Sequence, residues 1–253
     1  MDKQLNRYRF GNNPAVEEKR GRARLVKILL FTVIFFTLLS GTFYGLSSSL
    51  FNLQELVFDG NEALTVKELE EAFPYPTGTN IWQIDLGRVE KTYASLPRTA
   101  GARVERRLPR GIHIFLEEKE TAAVIPYQGY YYEVAADGTL LGMSSRLPPG
   151  GVPMLTELTG LLYRPGENIT AAGGELAVSF LQEMGEEAAG ISEINAANPN
   201  NLIIFTVTGQ QIWMGRGDYG AKLRLLPGIL AALPGNKGYV DFRALQAPSF
   251  VGD

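Results

Sequence analysis

Few residues in this 253-residue chain have the makings of a reactive site. There is no cysteine, which excludes thiol catalysis, disulfides, thiolate zinc sites and iron–sulfur clusters. His113 is the single histidine, so any Ser-His-Asp arrangement would have to use it. It sits in an alternating segment between Ile112 and Ile114, with no distinctive serine nearby, and reads as a strand residue facing solvent or an interface. One histidine cannot supply an imidazole metal set, and the acidic residues lack calcium-loop spacing. The motif with most chemical content is Gly215-Arg216-Gly217-Asp218-Tyr219-Gly220, a literal GxGxxG, with Asp241 lying 21 residues past its last glycine. In a dinucleotide site such glycines bring backbone against a pyrophosphate and the acid binds a ribose, inside a βαβ unit. Here the motif starts too near the C-terminus for a doubly wound sheet to follow. It is read instead as a strand-to-helix turn with Asp218 as the helix cap. Arg216-Gly217-Asp218 and Asn168-Ile169-Thr170 match an adhesion tripeptide and a glycosylation acceptor, both too short to decide anything. Glu117, Glu118 and Glu120 read as a solvated strand end. Arg103, Arg106, Arg107 and Arg110 could bind an acidic partner, but such a cluster is more often a charged face balancing Glu105 and Glu117–Glu120 across a hairpin. No catalytic constellation, cofactor site or metal site is predicted, and the chain is read as not an enzyme.

The charge is distributed unevenly. Residues 1–27 hold eight basic and three acidic groups, whereas the rest holds 16 basic and 24 acidic ones. An acidic main body argues against nucleic-acid binding. Between Ile28 and Gln54 no residue is charged, and Ile28–Leu46 is dense in Ile, Leu, Val and Phe. Nineteen helical residues span roughly 29 Å, the thickness of a hydrocarbon core. The basic flank places the N-terminus in the cytoplasm, with Phe43 and Tyr44 at the far interface. A cleaved signal peptide is the rival reading, but the apolar run exceeds the usual h-region of ~7–15 residues.

The elements beyond residue 50 form an α+β pattern. A short strand ends at Asp59-Gly60-Asn61, and Thr65 with Glu68 forms a capping box, Leu64 and Leu69 being its staple. A second helix is capped by Asp85, with Ile84 and Val89 as staple and Pro97 beyond it. Two strands follow. Ala102, Val104 and Leu108 share one face of the first, with Arg106 the exception. In the second, Ile112, Ile114 and Leu116 alternate with His113, Phe115 and Glu117. Farther on, hairpins are predicted at Ala135–Gly138 and Thr208-Gly209, and helices over Ala171–Ala189 and Leu223–Leu233, with Pro227 kinking or starting the latter. Ile191–Ile194 reads as a strand and Tyr239–Phe242 as a final one; Gln246–Asp253 is short and carries Pro248.

Four stretches carry a resemblance: Leu53–Leu69 (LQELVFDGNEALTVKEL), Gly78–Pro97, Ala102–Ile125, and Lys222–Arg243 with its GYVDFR. The first three resemble a POTRA domain, and the whole layout resembles the FtsQ/DivIB family of bacterial cell-division proteins. The resemblance implies a cytoplasmic basic tail (1–27), a transmembrane helix (28–50), a β-α-α-β-β POTRA domain (51–120) and a mixed β domain with packed helices (121–253). It further implies a non-enzymatic scaffold at the division septum. Such a scaffold binds FtsB/DivIC-like and FtsL-like bitopic coiled-coil partners and serves septal peptidoglycan synthesis. The partner strand is expected on the last strand, here Tyr239, Val240, Asp241, Phe242 and Arg243, with Arg243 holding a partner carboxylate. An ordinary covered edge is the alternative reading of that strand. A rival function is a POTRA-bearing export or folding factor that captures unfolded chains by strand addition, although no barrel-like alternation follows.

Overall fold

The computed structural model describes residues 14–74, 77–148, 151–161, 163–185, 190–232 and 238–252. Helix α1 runs Pro14–Leu46, and its 25-residue stretch Arg22–Leu46 holds an 18-residue window with a mean hydropathy of 2.1, long and apolar enough to cross a membrane. Within it Thr32, Thr37 and Thr42 donate their hydroxyls to the carbonyls four residues back, at 2.9, 2.8 and 2.9 Å. That satisfies hydroxyls on an otherwise apolar helix surface. The helix stops at Leu46, short of the predicted residue 50, and a 3₁₀ turn at Ser49–Phe51 is capped by Ser48. The basic tail up to residue 13 lies outside the described residues.

Two compact units divide the chain. One gathers Met1–Glu55, Pro76–Asp85 and Arg106–Ile112; the other gathers Leu56–Tyr75, Leu86–Glu105 and His113–Asp253. The POTRA elements follow the predicted order β1 (Glu55–Asp59), α2 (Val66–Ala72), α3 (Leu86–Ala94), β2 (Thr99–Arg107) and β3 (Gly111–Glu118), with sheet order β1-β3-β2. The capping box is present: the Thr65 N–H reaches Glu68 Oε2 at 2.8 Å, and the Glu68 N–H reaches Thr65 Oγ1 at 3.3 Å. Hydrogen bonds from Thr65 hold the Glu68 carboxyl below its ordinary pKa. Leu69 and Tyr93 are fully buried, and the Tyr93 hydroxyl donates to the Leu69 carbonyl at 3.2 Å. Burial pushes the Tyr93 hydroxyl up to about 12.

At three residues the structure departs from what the sequence predicts. Glu118 is not a solvated strand end: its carboxylate accepts the N–H groups of Glu62, Ala63 and Leu64 at 3.1, 2.9 and 2.9 Å. Successive backbone donors curling round one anion form a nest, so the charge fixes the loop after β1. Gly60 shares in this, because a Cβ there would lie 2.0 Å from the Leu116 carbonyl oxygen. Arg106 breaks the apolar face for a reason: its Nε and Nη2 donate to the carbonyls of Ile81 and Ile84, both at 2.9 Å. Leu108 leaves the strand face altogether and is exposed in the β2–β3 turn. The alternation in β3 holds, with Ile112, Ile114 and Leu116 buried. His113 faces the other way, stacked against Phe115 and 2.5 Å from Asp59.

Among the described residues, the β domain is one nine-stranded sheet. Its strands are β4 (Ala123–Tyr127), β5 (Tyr130–Val134), β6 (Leu140–Ser144), β7 (Met154–Thr156), β8 (Ile191–Asn198), β9 (Asn201–Thr206), β10 (Gln211–Gly215), β11 (Tyr239–Asp241) and β12 (Ser249–Val251), in the order β12-β11-β10-β9-β8-β7-β4-β5-β6. The pairs β4/β7, β7/β8 and β10/β11 are parallel and the others antiparallel, so the sheet is mixed. Helices α4 (Gly174–Met184) and α5 (Tyr219–Ala231) pack on each other, with Phe180 edge-on to Tyr219 at 5.4 Å. The predicted face of α4 is the buried one: Leu176, Ala177, Phe180, Leu181 and Met184. Residues 186–189 and 233, which prediction gave to the two helices, lie outside the described residues. α5 starts four residues before Leu223 and keeps Pro227 in its interior. The fold is α+β: an apolar N-terminal helix, a POTRA domain and a β-rich C-terminal domain.

Candidate partner-binding site

β11 alternates between two environments. Val240 and the adjoining Phe242 are buried in the core with Ile212 and Met214. Tyr239, Asp241 and Arg243 face outward with Trp213 of β10. The Tyr239 ring stacks on Trp213 at 4.3 Å, and the Arg243 guanidinium lies 5.1 Å from the same indole. Arg243 also forks onto its own neighbour: Nε donates to Asp241 Oδ1 and Oδ2 at 2.9 and 3.1 Å, and Nη2 to Oδ2 at 2.5 Å. The Arg243 hydrogen bond is the main reason the Asp241 carboxyl lies below its ordinary pKa and the guanidinium above its own.

Both edges of this strand are hydrogen-bonded, unlike those of the predicted one. Its inner edge pairs with β10, Gln211 opposite Tyr239 and Trp213 opposite Asp241, and the Phe242 N–H donates to the Trp213 carbonyl at 2.9 Å. Its outer edge is not free. β12 folds back along it, Val251 opposite Tyr239, Phe250 opposite Val240 and Ser249 opposite Asp241. The strand predicted to end the sheet is therefore next to last, and Arg243 already holds a carboxylate, that of Asp241. Prediction missed β12 because Pro248 reads as a breaker, yet Pro is tolerated at the start of an edge strand. Gly238 makes the return possible: its φ is +95°, and a Cβ there would sit 2.1 Å from the Val251 carbonyl oxygen. β12 ends the sheet, three residues long and exposed throughout. Trp213, which ties Tyr239 to Arg243, was legible only as the outward residue of the alternating QIWMG.

The glycine motif also reads differently in three dimensions. β10, α5 and the parallel β11 do form a βαβ unit around Gly215–Gly220. What denies it a phosphate is the helix N-terminus, where Glu183 Oε2 already accepts the Gly220 N–H at 2.6 Å. Asp241, placed as a ribose ligand would be, is engaged by Arg243. Asp218 adopts φ 54° and makes no side-chain capping hydrogen bond, although its carbonyl accepts the Lys222 N–H at 3.0 Å. The turn is held instead from inside: the Tyr219 hydroxyl donates to Gly215 O at 2.9 Å, and Lys222 Nζ to Met214 O at 2.7 Å. Burial keeps the Lys222 ammonium below its ordinary pKa. These glycines serve a turn, as the sequence reading held, and the single βαβ unit around them is not a doubly wound sheet.

Comparison with known proteins follows the same division of the chain. Residues 51–119 match the FtsQ-type POTRA domain, and residues 123–243 match the C-terminal domain of cell division protein FtsQ/DivIB. Cell division protein FtsQ of Streptomyces venezuelae is 26% identical over 247 residues, covering 95% of this chain and 90% of that protein. FtsQ of an Anaeromyxobacter strain is 28% identical, covering 90% of this chain and 80% of that protein. DivIB of Bacillus subtilis is 22% identical, covering 88% and 83%. The extracytoplasmic domain of the cell division protein DivIB of Geobacillus stearothermophilus superposes weakly, with a TM-score of 0.32 at 17% identity, over 46% of this chain and 95% of that one. With both family domains present in order behind an apolar helix, and relatives aligned along most of its length, the chain belongs to the FtsQ/DivIB family of cell division proteins.

Proposed function

We propose that this protein is a non-enzymatic, single-pass scaffold of the divisome. It binds FtsB/DivIC-like and FtsL-like bitopic coiled-coil partners at the septum and links them to septal peptidoglycan synthesis. Its tail (1–27) lies in the cytoplasm, residues 28–50 include the span, and the POTRA (51–120) and β (121–253) domains lie outside. Tyr239, Val240, Asp241, Phe242 and Arg243 form the strand on which partner binding depends. The observation that supports this reading is the open end of the sheet, where β12 has, among the described residues, no strand on its outer side. Unpaired N–H and C=O groups along such an edge are a template for an incoming strand. β11 and Trp213 form the rigid platform behind it, and Tyr239, Asp241 and Arg243 present a polar-aromatic surface beside it. Membership of a cell-division family favours a dedicated partner over the many unfolded clients of an export factor.

The test is titration of the detergent-solubilised full chain with the exported segment of a FtsB/DivIC-like protein. Phe250→Pro removes a strand donor, and Arg243→Glu puts a second negative charge beside Asp241. Each should weaken binding by about tenfold or more. Binding that ignores both changes would move the site elsewhere. Binding of unrelated unfolded chains with equal affinity would favour the export reading, and no binding at all would sink strand addition.

A further inference from the structure

Helix α1 does not hand over to the POTRA domain through a free tether. The carbonyl of Leu46, its last residue, accepts a hydrogen bond from Asn80 Nδ2 at 2.8 Å. Residues 79–81 then run beside 51–53, with Leu53 N–H to Thr79 O and Ile81 N–H to Phe51 O, each at 2.8 Å. The β2–β3 turn joins from the other side: Gln54 N–H meets Arg110 O at 2.9 Å, and Arg110 Nε meets Leu50 O at 3.2 Å. All of these residues belong to the same compact unit as the helix.

The side chains at this junction are unusual for a surface. Leu50, Trp82 and Leu108 are 49%, 42% and 59% exposed, which leaves one large apolar group uncovered on each of the three segments that meet here. Trp82 is propped in place, with the Arg106 guanidinium 5.4 Å from its ring and Phe51 edge-on at 5.9 Å. Arg106 is held by two carbonyls, so it supports Trp82 from within. Arg107 is exposed beside Leu108. A recess of about 560 Å³ opens nearby, lined in part by Ser49, Asn52, Gln54, Gly78 and Arg110.

We propose that this junction is a lipid-headgroup site. Leu50, Trp82 and Leu108 enter the outer membrane–water interface, and Arg107 and Arg110 bind the phosphodiester of an anionic phospholipid. The inference rests on reading Arg22–Leu46 as a membrane span. Ile28 to Leu46 covers roughly 29 Å of helix, so Leu46 sits at the hydrocarbon boundary, and headgroups occupy roughly the next 5–8 Å. A side chain hydrogen-bonded to Leu46 O therefore lies among headgroups. Tryptophan favours that layer because its ring is apolar and its N–H polar, and arginine matches a phosphate with a planar fork. Lipid is favoured over a protein occupant because the surface is continuous with the spanning helix.

The experiment uses the full chain in phosphatidylcholine–phosphatidylglycerol vesicles whose acyl chains carry a bromine quencher near the headgroup. The chain has two tryptophans, so the emission difference between wild type and Trp82→Phe isolates Trp82. Flotation resistant to alkaline carbonate reports the span independently. Expected results are an approximately twofold loss of Trp82 emission on bromination, and its abolition by Arg107→Glu with Leu108→Glu, two exposed positions. Replacing phosphatidylglycerol with phosphatidylcholine should also weaken it. Chain that floats without Trp82 quenching overturns the headgroup site and leaves the span standing. Chain that does not float overturns the span, and the site with it. Quenching that ignores either the variant or the anionic lipid overturns the assignment to arginine and phosphate.

Discussion

Removing either member of the Arg98–Glu133 ion pair should cost far more than a surface pair would. Arg98 follows α3 and Glu133 lies in β5; their side chains are only 12% and 15% exposed. The same Glu133 oxygen accepts the Thr121 hydroxyl at 2.7 Å, and Arg98 Nη1 reaches that hydroxyl at 3.4 Å. Breaking a buried pair strands the remaining charge, which costs about 3–5 kcal/mol, and partial water access favours the lower end, about 3 kcal/mol. For a chain of this size each kcal/mol moves Tm by about 2–4 °C, so Arg98→Ala or Glu133→Ala should lower it by about 6–12 °C. Arg98→Met with Glu133→Leu leaves no stranded charge and should recover much of the loss, so that, with Arg98→Met and Glu133→Leu as the matching singles, the cycle gives a coupling of about 3 kcal/mol. Thermal unfolding of the solubilised full chain, followed by near-ultraviolet circular dichroism, reads the cycle. Single variants within about 1 kcal/mol of wild type, or a double variant equal to the sum of the singles, would refute the buried-pair argument.

Glu118→Ala should destabilise by about 2–3 kcal/mol, the worth of charge-assisted bonds to three backbone donors, whereas Glu117→Ala should fall within about 0.5 kcal/mol in the same melt. Asp137 gives a pH signature. Burial raises its pKa more than any other single influence, but hydrogen bonds from Lys119 and Thr139 together outweigh it and hold the carboxyl at about 2, below its ordinary 3.8. A depressed carboxylate stabilises above the unfolded pKa, so its contribution is full above about pH 4 and is lost as pH falls towards 2. Its side chain is 51% exposed, so screening reduces the effect to about 1 kcal/mol. Asp137→Asn should flatten that part of the stability profile measured between these pH values. Gly238→Ala should dislodge β12 and weaken partner binding by about tenfold in titration, while leaving the POTRA melt unchanged.

Local signals were legible wherever one short window contained both cause and effect. The Thr65–Glu68 capping box, the alternation of Ile112, Ile114 and Leu116, and the apolar stripe of α4 all appear as read. What failed depended on partners distant in sequence. Glu118 looks like any strand-end acid until the donors at 62–64 curl round it, 54 to 56 residues away. Arg106 looks like an error in an apolar face until the carbonyls of Ile81 and Ile84 meet it. At the candidate site, Tyr239–Arg243 was legible as a strand with alternating faces. Its cover was not, because Ser249–Val251 is too short and too polar in context to announce a strand. Only the close approach of Gly238 to Val251 shows why the chain returns there.

Absence of native cysteine makes the central claim open to direct geometry. Single cysteines at Ser249, Phe250 and Val251, each combined with single cysteines along the exported segment of the FtsB/DivIC-like partner, can be oxidised in the assembled complex. Strand addition at β12 predicts disulfides between residues directly opposite in one register, alternating with period two along the partner. Crosslinks absent from all three positions, or spread evenly along the partner without a register, would contradict the account.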